Sequence, residues 1–141
     1  MRQGTTLLEL ATVLLLMGLA GAVALPVGRG LADRMAVVSA REALAGLVAE
    51  ARTMALTHGG ASVYLARKPD RAWYETTGVP RRSVQLEEEL GVAMLVARDL
   101  PLEVRFDGLG LGQVASTTVG FRRGDAEAGL TLSSYGRARR W

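Results

Sequence analysis

The sequence predicts an α+β protein in which one long N-terminal helix packs on an antiparallel β-sheet. Three observations predict this fold class. Residues 10–28 carry no charged side chain, a stretch rich in alanine, leucine, arginine and glutamate follows to about residue 57, and short strand-like segments separated by turns fill the remainder. The chain has 141 residues, and single domains typically hold about 100–150. We therefore expect one folded domain besides the N-terminal segment.

The first helical segment is long and apolar enough to span a membrane. With Leu7 and Leu8 in front, the uncharged run reaches the roughly 20 residues that cross about 30 Å of hydrocarbon. Glu9 lies at the start of this run, and because an ionised carboxylate at the bilayer centre costs about 2.5–3.5 kcal/mol, we expect it to have a function. Arg2 and the small residues 22–24 also match a secretory signal peptide, and an uncut anchor is a further alternative.

The second helical segment is amphipathic. Its apolar positions follow the three-to-four spacing of one helix face, at Leu44, Leu47, Val48, Ala51, Met54 and Ala55. Pro26 lacks an amide hydrogen, so we expect the helix to kink there before it resumes at about Leu31. His58 is followed by two glycines, which predicts the end of the helix.

The remainder of the chain predicts strands joined by turns. The predicted strands and apolar segments are 61–67, 72–75, 92–97, 102–106, 117–123 and 129–133. The first two form a hairpin around Pro69 and Asp70, and turns are expected at 107–112 and 124–129. No internal repeat, low-complexity linker or further domain boundary is visible.

Several motifs that suggest chemistry have a simpler structural interpretation. The glycine-rich run at 108–112 lacks the following helix of a dinucleotide fingerprint, so we interpret it as a turn. The chain contains one histidine, His58, and no cysteine, which predicts no metal site and no nucleophilic triad. The glutamates at 87–89 are expected at a solvated edge. We expect Trp73 in the core, since alternation turns at least one of Trp73 and Tyr74 inward. No cofactor, metal or catalytic residue is therefore predicted.

Basic residues concentrate at the C-terminal end. The formal net charge is +3, and residues 112–141 contain five arginines against two acidic residues. Arg137 and Arg139 are two positions apart, so on a strand they point to the same side, while Gly136 leaves room for a close backbone approach. Such a pair suits successive phosphates. A solvated terminal strand whose charges block edge-to-edge aggregation is the alternative.

The first nine residues also carry a motif. Gly4, followed by Thr5-Thr6-Leu7-Leu8-Glu9 and a long apolar helix with Pro26 near its end, resembles the class III leader of type IV pilins and type II secretion pseudopilins. The resemblance implies that a prepilin peptidase cuts between Gly4 and Thr5 and methylates Thr5 as the new N-terminus. It also implies that Glu9 pairs with the N-terminal amine of a neighbouring subunit. Thr5 departs from the phenylalanine most often found there in the family.

Three further segments extend the resemblance along the chain. Trp73 in an early hairpin, the strand 104–107 entering a glycine-rich turn and the closing Gly-Arg-Ala-Arg at 136–139 are similar to the GspH/FimT subgroup of minor pseudopilins and minor pilins. The resemblance implies the pilin-like version of the fold, with a long N-terminal helix packed on an antiparallel sheet.

The resemblance also implies an organisation and a location. A leader at residues 1–4 precedes a transmembrane and assembly helix at 5–28 and a soluble domain at 29–141, whose helix runs to about residue 57. The N-terminus would lie in the cytoplasm, the helix in the inner membrane and the C-terminal domain in the periplasm, within a pseudopilus or a surface pilus.

Two functional hypotheses follow, and neither is enzymatic. The first is a minor pseudopilin or minor pilin, a structural component of a filament or its tip, with the prepilin peptidase and other pilin subunits as partners. The second is a DNA-binding minor pilin acting in uptake of double-stranded DNA, because the FimT-like minor pilins are implicated in binding DNA through such a Gly-Arg-x-Arg element. Its candidate contacts are Arg137, Arg139, Arg140, Arg122 and Arg123. A membrane-anchored or secreted β-rich domain unrelated to pili is the third possibility.

Overall fold

The computed structural model describes residues 6–113, 116–133 and 135–141, and only the main chain at residues 23–26. Within these described ranges, two helices and eight strands follow one another. They are α1 (Leu7–His58), β1 (Gly60–Ala66), β2 (Arg71–Glu75), β3 (Arg82–Gln85), α2 (Leu86–Leu90), β4 (Ala93–Val96), β5 (Leu102–Asp107), β6 (Thr117–Arg123), β7 (Ala126–Leu132) and β8 (Ala138–Arg140). The α+β class predicted from the sequence is confirmed.

Helix α1 has 52 residues and ends where the sequence predicts. Gly59 follows its last residue, His58, with a φ of 81°, a left-handed conformation that glycine adopts without steric cost. The helix assignment continues through Pro26, so the proline does not interrupt the helix, and the kink at that residue stays a prediction. The chain divides into two compact units at this helix, residues 1–32 and residues 33–141.

Sheet A has the strand order β3-β2-β1-β5, and all of its neighbours are antiparallel. The predicted hairpin is present, with Tyr64 opposite Trp73 in the β1–β2 register. Alternation buries Tyr74 and leaves Trp73 half-buried on the outer face, so the expectation of Trp73 in the core is wrong. Trp73 instead stacks on Tyr64 with ring centroids 5.3 Å apart, and Arg81 lies 4.3 Å above its ring.

Sheet B has the strand order β4-β6-β7-β8 and is also antiparallel throughout. Two sheets are therefore present where the sequence predicts a single one. Strand β7 begins at Ala126, three residues before the predicted start at residue 129, because its first residues pair with Arg122 and Arg123 of β6. The three glutamates expected at a solvated edge, residues 87–89, lie in helix α2, and their side chains are exposed.

One hydrophobic core joins the second half of α1 to the inner faces of both sheets. The helix contributes a stripe at three-to-four spacing, and each sheet contributes the alternate residues of its strands. The largest fully buried side chains include Leu44 of α1, Leu65 and Phe106 of sheet A, and Phe121 and Leu130 of sheet B. The amphipathic face predicted from the sequence is confirmed, with Met54 at its partly buried margin.

The turn between β1 and β2 binds the edge of sheet B. Asp70 is only 7% exposed, and its Oδ2 accepts the main-chain N–H of Met94 in β4 at 2.7 Å. The Arg67 side chain donates to the Met94 carbonyl at 3.3 Å. The Asp70 carbonyl in turn accepts the N–H of Leu86 at 2.9 Å at the start of α2. The two bonds at Met94 satisfy main-chain groups of β4 that do not pair with β6.

Candidate functional site

The first part of α1 presents an apolar surface in the unit formed by residues 1–32. Leu7 is 86% exposed, and the other described leucines of residues 7–19 are also exposed. The part of the chain that the structure describes contains one helix long and apolar enough to cross a membrane, and it is α1 near the N-terminus. An exposed leucine-rich helical surface fits burial in lipid or against other helices.

Thr6 and Glu9 define the start of α1. The Thr6 hydroxyl accepts the main-chain N–H of Glu9 at 3.3 Å, which is half of the reciprocal pattern called a capping box. The Glu9 side chain is exposed. A threonine followed three residues later by a glutamate is a helix-capping signal. The interpretation of Glu9 as an assembly residue does not use this signal. The predicted cleavage residues Gly4 and Thr5 lie outside the described residues.

The turn before β8 is built on one close packing contact and two hydrogen bonds. Gly136 is buried, with a φ of 75°, and a Cβ added to it would lie 2.7 Å from Cε1 of Phe106 in β5. The Ser133 hydroxyl accepts the N–H of Arg137 at 3.1 Å, and the Ser133 N–H donates to the Arg137 carbonyl at 2.8 Å. The room predicted at Gly136 for a close backbone approach is therefore filled by the Phe106 ring.

The end of β8 is held from both sides. The Trp141 main chain exchanges two hydrogen bonds of 3.0 Å with Gly129, and the Arg41 side chain donates to the Trp141 carbonyl at 3.2 Å. A Cβ on Gly129 would overlap the Trp141 indole, which lies directly on that glycine and is 56% exposed. Glycine at this position therefore lets the strand and its terminal ring pack flat on sheet B.

Three of the five candidate arginines have acidic partners. Arg140 donates to Glu42 of α1 at 2.9 Å, and these hydrogen bonds hold the pKa of Glu42 below its usual value. Arg123 pairs with Asp33 at 3.0 Å and donates to the Leu90 carbonyl at 2.7 Å. Arg122 pairs with Glu127 across the β6–β7 hairpin. These arginines connect elements of residues 33–141 to one another.

Arg137 and Arg139 differ from the other three. Both are exposed, and within the described part of the chain neither side chain has an ion pair or a hydrogen bond. Arg139 is opposite Thr131 in the β7–β8 register, on the face that carries Trp141. Among the described residues, Arg137 and Arg139 are thus two unpaired arginines near the C-terminal strand, whereas Arg122 and Arg123 lie at the far end of β6, which pairs with the start of β7.

The outer face of sheet A holds a satisfied polar cluster. Glu103 Oε1 accepts hydrogen bonds from Ser62 at 2.9 Å, Tyr64 at 3.3 Å and Arg105 at 3.1 Å. The Ser62 bond, with smaller effects of Arg105 and Tyr64, lowers the pKa of Glu103 despite the opposing effect of burial. Behind the sheet, Tyr74 donates to Glu50, and burial together with that carboxylate raises the tyrosine pKa.

A cation site is not apparent in residues 6–113, 116–133 and 135–141, where no three acidic or histidine side chains converge. A groove of about 580 Å³ lies at the end of α1 between His58, Tyr64, Glu75 and Arg105. His58 Nδ1 lies 2.7 Å from the Thr57 hydroxyl and 3.3 Å from the Met54 carbonyl, the contacts of a helix-terminal residue.

Comparison with known proteins gives no match. No protein-family model matches the chain, and neither a curated protein nor a solved structure does.

Proposed function

We propose that this chain is a minor pseudopilin of a type II secretion system or a minor pilin of a type IV pilus, a non-enzymatic component of the filament or its tip. The observation that carries the proposal is helix α1. Its first part exposes an apolar surface fit for a membrane, and its second part packs on antiparallel sheets. The leader motif at Gly4 and Glu9 supports the same function.

The proposed membrane arrangement follows from that helix. The apolar part of α1 would anchor the chain in the inner membrane with its N-terminus in the cytoplasm, and residues 33–141 would lie in the periplasm. After cleavage between Gly4 and Thr5, Glu9 would be the fifth residue of the mature chain and would pair with the N-terminal amine of a neighbouring subunit. A buried carboxylate is tolerated when a cation meets it.

Cleavage tests this proposal directly. We expect the full chain, expressed in bacterial membranes with a prepilin peptidase, to lose residues 1–4 and to gain one methyl group on Thr5, as read by intact-mass spectrometry. A Gly4→Val variant should remain uncut, whereas the matched Gly18→Val variant, altered within the helix, should be processed normally. Cleavage near residue 24 instead would identify a secretory signal peptide and contradict the proposal.

Arg137 and Arg139 favour a second candidate function, the binding of double-stranded DNA by a minor pilin. They are exposed and unpaired in the described part of the chain, two positions apart beside β8. Arg140, Arg122 and Arg123 would need to leave acidic partners to join them. Phosphate binding requires free guanidinium groups, so we propose Arg137 and Arg139 as the primary contacts.

DNA binding is tested with the full chain in a non-ionic detergent at two salt concentrations. We expect the logarithm of affinity to fall against the logarithm of salt with a slope of about −0.9 per phosphate contact. Arg137→Ala with Arg139→Ala should remove binding, while Arg122→Ala, which affects an arginine paired with Glu127, should leave most of it. Absence of binding at low salt in the unaltered chain would reject this second function.

A further inference from the structure

A groove of about 410 Å³ separates the C-terminal strand from α1. Small side chains, Ala45 and Ala49 together with Val48, form its helix side, and Gly136 and Ala138 lie on its strand side. The alanine side chains are small, so another main chain can approach closely along this groove. Three arginines complete the lining, Arg52, Arg137 and Arg140.

The free edge of sheet B faces this groove. Gly129 exchanges both main-chain bonds with Trp141, and Ser133 bonds Arg137, so these positions of the C-terminal segment point their N–H and C=O groups toward β7. Antiparallel pairing alternates, which places the N–H and C=O groups of Ala138 and Arg140 on the opposite side. No described residue bonds those main-chain groups. They form a short, open template for another strand.

The charge of the groove is positive. Arg52 and Arg137 have no acidic partner among the residues that the structure describes, and the Arg52 stem packs near Gly110. Arg140 is bound to Glu42, which is the acidic group at this end of the groove. Two unpaired guanidinium groups therefore lie beside an unpaired strand edge, an arrangement that suits an extended segment with carboxylate side chains.

We propose that this groove binds a short, extended acidic segment of a partner protein, which adds as a fifth strand beside β8 and pairs its carboxylates with Arg52 and Arg137. Main-chain hydrogen bonds to Ala138 and Arg140 would supply affinity, and the two arginines would supply preference for acidic side chains. Nucleic acid is the less favoured occupant because it offers phosphates but no alternating N–H and C=O groups to complete the edge. The proposal does not depend on membership of a filament.

A synthetic peptide in which glutamate and valine alternate is a suitable probe. We expect it to bind the full chain in non-ionic detergent micelles, as measured by fluorescence anisotropy of a labelled peptide, and the matched lysine–valine peptide to show no binding. The same acidic peptide with alternate amides N-methylated should bind about tenfold more weakly, the scale of losing two main-chain hydrogen bonds. Equal binding of the methylated peptide would overturn the strand-addition proposal.

Variants locate the site independently of the peptide chemistry. Arg52→Ala with Arg137→Ala should weaken binding of the acidic peptide by at least about tenfold. Arg98→Ala removes an exposed arginine that does not line the groove and should not change binding. Ala138→Pro should weaken binding about threefold, because it removes one N–H that faces the groove and leaves the β7 bonds intact. Unchanged binding in the double arginine variant, or binding of a DNA duplex in place of the acidic peptide, would reject the proposal.

Discussion

Gly136 shows how one residue fixes the geometry of the C-terminal strand. Its φ of 75° favours glycine, and its contact with Phe106 leaves no room for a side chain. Gly78 has a φ of 78° but nothing within 4 Å of an added Cβ, so it isolates the conformational effect.

We expect Gly78→Ala to lower the free energy of unfolding by about 1–2 kcal/mol through backbone strain alone. Gly136→Ala should lower the free energy of unfolding by about 1–3 kcal/mol more than Gly78→Ala does, because its methyl group overpacks against Phe106. Urea denaturation of the full chain in non-ionic detergent, followed by tryptophan fluorescence, measures both. Equal losses in the two variants would show that the Phe106 contact carries no energetic weight.

Glu103 is the residue for which the structure predicts a pH dependence of stability. Its pKa lies below the ordinary value of 4.5, chiefly because Ser62 donates a hydrogen bond to the carboxylate. Between the lowered pKa of Glu103 in the folded chain and its ordinary value in the unfolded chain, the unfolded chain binds more protons. The contribution of Glu103 to stability is therefore complete above pH 4.5 and declines as the pH falls further.

We therefore expect Glu103→Gln to flatten the loss of stability below pH 4.5. Thermal unfolding midpoints measured over a descending pH series test this. Glu88→Gln is the control, because Glu88 is exposed and no described residue donates a hydrogen bond to its carboxylate. The same slope in the Glu103 variant and the unaltered protein would contradict the expectation.

At the scale of elements, the β1–β2 turn is predicted to stabilise β4. Asp70→Ala removes the acceptor of the Met94 N–H and leaves that buried donor unsatisfied, so we expect a loss of about 1–3 kcal/mol in unfolding free energy. Asp125→Ala alters an exposed aspartate in the β6–β7 turn and should cost far less. Denaturant midpoints of the two variants provide the comparison, and similar midpoints would argue against the turn as a stabilising contact.

The elements that the sequence predicted best are those with a local periodic signal. The helix stripe from Leu44 to Ala55 and the β1–β2 hairpin carry such signals, and both are present. Helix α2 has only five residues, too few for periodicity, and its first N–H groups are satisfied by the Asp70 carbonyl. That partner lies well before it in the chain, so no local pattern could reveal it.

Two predictions were wrong because contacts between residues distant in the sequence determine the structure there. The start of β7, Ala-Glu-Ala, has weak strand preference and extends because it pairs with β6. Trp73 and Tyr74 both favour strands. Tyr74 is the one that faces the core, and its hydroxyl donates a hydrogen bond to Glu50 of α1. For the candidate site, the sequence showed the arginines of the C-terminal segment. It could not show that Arg140 pairs with Glu42, because these residues are 98 positions apart in the chain.

At the scale of the whole molecule, the apolar part of α1 predicts membrane retention. Leu16→Arg places a charge within the uncharged run, at a cost of about 2.5–3.5 kcal/mol at the centre of a spanning helix, so the chain should leave the membrane pellet more readily. Met35→Arg alters an exposed residue of the second unit and should have little effect. The fraction that resists an alkaline carbonate wash measures both, and equal retention would contradict a spanning role for the run.

The two edges of sheet B differ in how they would behave in a crowded solution. Open strand edges promote unwanted self-association, and proteins commonly cover them. At β4 the Met94 N–H and C=O are occupied by Asp70 and Arg67, whereas at β8 the outward groups of Ala138 and Arg140 are open within the described chain. Self-association through β8 is therefore less obstructed than self-association at Met94 of β4, and the positive charges of the C-terminal strand would repel a second copy of the same edge.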